Sequence, residues 1–181
     1  MSDRIRQPAL APPPIRPAQP REAEPGAWLE AHYRHLWVTR MHDMPFVNPA
    51  LSVEAIGFRR HDGDWLGVMI TPWFLNLFLI HGGGTLWGDI PAGERRYLNL
   101  PCGTLQFLAD DDPALGPYQY CPLIAPVSVL PDMATARQAA IEALATVFAP
   151  PPEAPADASV QSPAAVADKP KPVSRRGFLS T

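Results

Sequence analysis

Only a few groups of residues in this chain have the types and spacing that chemistry requires: His32-x-x-His35, His42-Asp43, His81-Gly82-Gly83-Gly84, Asp110-Asp111-Asp112, and the two cysteines Cys102 and Cys121. The His-Gly-Gly-Gly run has the composition of an oxyanion-hole loop, which supports acyl transfer only beside a serine on a Gly-x-Ser-x-Gly elbow. None of the chain's serines sits on such an elbow. Gly82-Gly83-Gly84-Thr85 also lacks the lysine that a phosphate-cradling loop places before its hydroxyl residue, so the run reads as a glycine-rich turn. His32 and His35 lie one helical turn apart, a spacing that can clip a metal, but no convergent third ligand can be named. His42-Asp43 has the form of a base with its orienting carboxylate but has no nucleophile to act on; a helix-end cap explains it. The aspartate triplet before Pro113 lacks the alternating ligands of a calcium loop and reads as a solvated turn, with contact to a basic peptide as the other reading. Two isolated thiols complete neither a structural zinc site nor a rubredoxin-like iron site. No catalytic residue, metal or cofactor is therefore expected, and the chain is expected not to be an enzyme.

The elements that would carry these residues are legible from periodicity. Leu29, Tyr33, Leu36 and Trp37 recur at helical steps, and Pro45 and Pro49 place the end of that helix near His42 or Asp43. Val53 and Trp65 open two apolar runs flanking His61-Asp62-Gly63-Asp64, and Asp-Gly supplies the positive-φ turn of a β-hairpin. Pro72 to Leu77 is expected as a helical turn before a strand at Phe78-Leu79-Ile80. Residues 95–100, 104–109 and 118–124 read as further antiparallel strands. Asp132 caps a second helix with Met133, Ala136, Ala140, Leu144, Val147 and Phe148 on one face, stopped by Pro150. The expected fold class is α+β: a mostly antiparallel sheet with an N-terminal and a C-terminal helix packed on one side of it.

Composition narrows the function classes. The 24 prolines are unevenly spread and crowd most densely at the two ends, which predicts an extended or disordered arm over 1–26, a folded domain over 27–149 and a Pro/Ala-rich linker over 150–172. A formal net charge of −3 without a basic run on the folded part disfavours nucleic acid. The most apolar run, 66–80, is interrupted by Pro72 and Asn76 and is shorter than the roughly 20 residues a membrane helix needs, so no direct membrane insertion is expected. The first residues show no secretory signal, which predicts a cytoplasmic location. The stretch from Trp65 to Phe78 concentrates aromatics, Met and Leu with no charge after Asp64. It either fills the core or leaves part of itself as a groove for apolar peptide.

Five stretches in order, "MHDMPFVNP" (41–49), "GDWLGVMITPWFLNL" (63–77), "LPCGTLQF" (100–107), "YQYCPLIAP" (118–126) and "RRGFL" near the end, resemble the HybE/HupJ group of nickel-iron hydrogenase assembly chaperones. The resemblance implies a cytoplasmic accessory protein. Its implied partner is the precursor of the hydrogenase's iron-sulfur small subunit, with the large subunit as a further candidate, and its implied task is to delay export until assembly is complete. Some members of the group are linked to a rubredoxin-like module; this chain lacks the cysteine pairs for one.

The resemblance further implies a client whose twin-arginine export signal is of the SRRxFL type, and residues 173–181 of this chain contain SRRGFLS. That makes Arg175, Arg176, Phe178 and Leu179 a candidate mimic of the client. A groove for such a peptide needs carboxylates for two guanidinium groups and an apolar slot for Phe-Leu. By nearness in sequence, the expected peptide contacts are Asp43, Glu54 and Asp64 with Trp65, Trp73, Phe74 and Leu77. The alternative function is redox protection or delivery of an iron-sulfur cluster through Cys102 and Cys121.

Overall fold

A computed structural model describes residues 14–150 of the chain. The candidate mimic (Arg175, Arg176, Phe178, Leu179) and the linker beyond Pro150 lie outside the described residues, as do residues 1–13. Helix α1 (Gly26–Leu36) runs on through a π-helical turn to Met41. Six strands follow: β1 (Glu54–His61), β2 (Asp64–Ile70), β3 (Leu75–Ile80), β4 (Arg95–Leu100), β5 (Gly103–Asp112) and β6 (Gly116–Ile124), and α2 (Met133–Phe148) closes the domain. All neighbours in the sheet are antiparallel, in the order β1-β2-β3-β6-β5-β4. Strands β1 and β4 form the two edges, and β4 carries Arg95 and Arg96 side by side.

The predicted hairpin is present, with Asp62 at φ 48° and Gly63 at φ 88° in the turn between β1 and β2. The predicted cap is present too: the Asp132 carboxylate accepts a 2.8 Å hydrogen bond from the Thr135 amide.

Two expectations are corrected. Pro72 to Leu77 forms no helical turn. Thr71 is fully buried, and its hydroxyl oxygen accepts from the amides of Trp73 (3.2 Å) and Phe74 (2.9 Å), closing a tight connection that lets β3 begin at Leu75. The helices are not on one side of the sheet. Alternation along β2 sends Leu66, Val68 and Ile70 to the face covered by α2, whose Ala136, Ala140 and Val147 complete that core. Trp65 and Met69 point to the other face, where they meet Leu29 and Tyr33 of α1. Strands β2 and β3 are therefore buried at every position, which is why their sequence reads as a continuous apolar run.

A close approach on the α1 face depends on Gly67, because a Cβ there would fall inside the Phe58 ring. Gly67→Ala is expected to destabilise the domain by about 1–3 kcal/mol through overpacking, and Phe58→Ala in the same chain should recover part of the loss. Chemical denaturation of the single and double variants checks this.

Residues 14–25, expected within a disordered arm, contain no helix or strand but are held to the body. The Arg21 amide donates to the His81 carbonyl (2.8 Å), while the Arg21 carbonyl accepts from Trp65 Nε1 (2.9 Å). The Arg21 guanidinium lies 4.2 Å over the Trp28 ring. These partners compensate for the apolar content that the segment lacks.

Candidate functional site

Helix α1 covers only part of its face. It packs chiefly on β1, with Tyr33 reaching Phe78 of β3, and leaves β6 and the end of β5 only partly buried. The result is a groove of 470 Å³ whose walls and floor are Tyr33 and Leu36 of α1, Trp73, Phe74 and Phe78, Tyr118 and Tyr120, and the 122–127 segment. Two carboxylates, Asp110 and Asp112, stand at its side.

The aromatics form one contiguous assembly. Trp37 stacks on Trp73 with ring centroids 6.1 Å apart, Tyr33 meets Phe74 edge-on at 5.2 Å, and Phe78 stacks on Tyr118 at 5.2 Å. The position of the segment at the far end is fixed by Asn48 of the "MHDMPFVNP" stretch. Its side-chain amide donates to the carbonyls of Val127 (3.0 Å) and Leu130 (2.8 Å).

Strand pairing brings the acids to the aromatics. Asp110 lies opposite Tyr118, whose hydroxyl donates to Asp110 Oδ2 at 2.8 Å. Burial above all, together with the neighbouring Tyr33 and Asp110, pushes the Tyr118 hydroxyl far above the usual tyrosine range, and burial does the same to Tyr33. Both remain protonated donors at any physiological pH. Asp112 Oδ1 accepts from the amides of Ala114 (2.7 Å) and Leu115 (3.0 Å), and its other oxygen lies 3.3 Å from His32 Nε2. The arrangement places an apolar, aromatic slot beside two carboxylates, with the Tyr118 proton held by Asp110.

The structure separates the residues expected from sequence. Trp73 and Phe74 line the groove. Asp43 is an exposed carboxylate at the end of the α1 extension, 3.0 Å from His42 Nε2. Asp64 is fully buried and accepts from the amides of Gly82 (2.7 Å), Trp87 (2.8 Å) and Gly84 (3.0 Å), with His81 Nδ1 at 3.2 Å. The glycine-rich turn thus wraps around this carboxylate. Glu54 faces α2, where Arg137 engages both its oxygens at 2.9 Å. Leu77 is buried in the core on the α2 side, and Trp65 is buried beneath the 14–25 segment.

His32 and His35 gather no further ligand, and no cluster of three or more metal-binding side chains exists among the described residues. Cys102 and Cys121 are half-buried against the α2-side core, and burial, followed by the nearby Cys102, pushes the Cys121 thiol up.

Comparison with known proteins decides the family. A family model described as "NiFe-hydrogenase assembly, chaperone, HybE" matches residues 24–181. The chain belongs to the HybE family. The "Hydrogenase expression/formation protein HupT" of Azotobacter chroococcum is 41% identical to this HybE-family chain over 128 residues, covering 67% of this chain and 80% of that protein. The "Probable rubredoxin HupJ" of Rhodobacter capsulatus is 40% identical over 95 residues, 52% of this chain, and the match spans only 34% of the relative's length. The solution structure of HybE from Escherichia coli shares the HybE-family fold with a TM-score of 0.58 at 24% identity, covering 84% of this chain and 94% of that one. No helix among the described residues is long and apolar enough to cross a membrane.

Proposed function

We propose that the protein is a non-enzymatic, cytoplasmic maturation chaperone for a nickel-iron hydrogenase, and that its aromatic groove binds the signal segment of the small-subunit precursor until assembly is complete. The observation that carries this reading is the open groove flanked by Asp110 and Asp112 in a chain of the HybE family. The paired arginines of an SRRxFL segment lie at Asp110 and Asp112, and its Phe-Leu enters among Trp73, Phe74 and Tyr120. This keeps the recognition chemistry expected from sequence and moves it to acids on β5. Apolar surface continues past the Leu36 wall: Val38, Met44 and Phe46 are exposed on the segment that follows. It is suited to the apolar residues that follow the arginines. The exposed Asp43 is a further acceptor on the same segment.

A titration of the precursor's synthetic signal peptide into the full chain tests the proposal. Asp110→Asn keeps the acceptor for Tyr118 and removes the charge; it is expected to weaken binding roughly tenfold, with the loss shrinking as salt rises. A peptide that binds wild type and variant equally, or binds neither, overturns the groove assignment.

A further inference from the structure

The 14–25 segment adds a second feature to the same face. Beyond Phe78 and Tyr118, β3 and β6 continue to Ile80 and Pro117, and these residues line a second groove of 660 Å³ whose other wall is the segment itself, Arg16 to Ala23. The two grooves follow the same pair of strands on the α1 side.

The segment is held by few attachments, nearly all exposed. Arg16 pairs with Asp111 at 3.0 Å, between the two acids of the first groove in sequence. The Ala18 amide donates to Asp89 Oδ1 at 3.0 Å, Arg21 makes the contacts to His81, Trp65 and Trp28 described above, and the Arg60 guanidinium donates to the carbonyls of Arg21 (3.3 Å) and Glu22 (3.0 Å). Most of its residues are solvent-exposed, and it buries no large apolar side chain of its own. Prolines at 14, 17 and 20 keep it extended and remove amides that would otherwise anchor it. A guanidinium at Asp111 also lowers the pull of the adjacent acids on an incoming cationic peptide.

Resting on the groove reading above, the structure assigns to residues 14–23 the role of a displaceable strap: it roofs the Ile80–Pro117 half of one continuous client channel and sets Arg16 against the acidic run until a client peptide lifts it. A client long enough to follow β3 and β6 past Phe78 takes the place of the strap. Its apparent affinity is the intrinsic affinity multiplied by the fraction of molecules in which the strap is open.

The test uses the full chain, the precursor's signal peptide with its native flanking residues, and two variants. Arg16→Gln removes the pairing with Asp111. Ala18→Pro removes the donor to Asp89 without changing charge, which separates strap release from simple electrostatics. Each variant is expected to raise peptide affinity several-fold, on the order of tenfold together, and saturating peptide should speed hydrogen exchange of the Arg21 amide in the wild-type chain. Peptide that binds all chains with equal affinity and leaves the Arg21 amide protected overturns the strap while leaving the groove reading standing. Absence of binding to any chain removes both.

Discussion

Asp64→Ala is expected to cost about 3–5 kcal/mol of stability, because it leaves the amides of Gly82, Gly84 and Trp87 without their acceptor in a buried setting. Asp64→Asn should lose less, since one acceptor oxygen survives while the other becomes a donor facing a donor. The pH dependence has a definite sign. Burial, the largest influence on this carboxyl, pushes its pKa up, but the amides of Gly82, Trp87 and Gly84 and the His81 ring more than reverse this and hold it below the ordinary carboxylate value. The stabilisation is therefore complete above the unfolded pKa of about 3.9 and is lost as pH falls through the lower folded value. Urea unfolding between pH 7 and pH 3 should show an acid-limb loss in wild type that is smaller in Asp64→Asn; superimposable profiles would refute the assignment.

The largest functional effect is expected at Trp73. It sits partly buried on the 71–74 connection at the margin of the α1-side core, stacked on Trp37 and edge-on to Tyr33 and Phe74, and turns a rigid apolar face to the groove. Trp73→Ala should weaken signal-peptide binding by about 2 kcal/mol, roughly 30-fold, as loss of a central aromatic anchor does. Trp73→Phe should retain part of that affinity. Calorimetric titration beside a thermal melt separates this from unfolding; wild-type affinity in Trp73→Ala would place the peptide elsewhere.

The parts of the fold legible in sequence are those set by neighbouring residues. Asp62-Gly63 fixes its hairpin through backbone conformation, and Asp132 fixes the start of α2 through one side-chain bond. The 71–74 connection was not legible as a turn, because a proline followed by apolar residues resembles a helix start until the buried Thr71 hydroxyl is seen to close it. The face each helix covers was hidden for a related reason. Strands buried at every position carry little alternation to say which side is covered, and here both are. In the candidate site, the placement of the acids relative to the aromatics depended on strand register, which nearness in sequence does not give. Asp64 and Glu54 are near the aromatic stretch in sequence, but one is wrapped by the glycine turn and the other faces Arg137. Asp110 and Asp112 reach the groove only through the register of β5 with β6, which pairs Asp110 with Tyr118. The signal that pointed to them was the triplet's alternative reading as a contact for basic peptide.

The placement of β4 at the margin bears on self-association. An unpaired strand there offers free backbone donors and acceptors to any passing chain, and a second molecule could in principle lengthen the sheet. Arg95 stands exposed on that margin, while the Arg96 guanidinium turns back to the Gly88 carbonyl at 3.5 Å, so an incoming strand meets a fixed positive charge at one end of β4. A charged side chain on an edge strand of this kind discourages identical molecules from joining sheet to sheet.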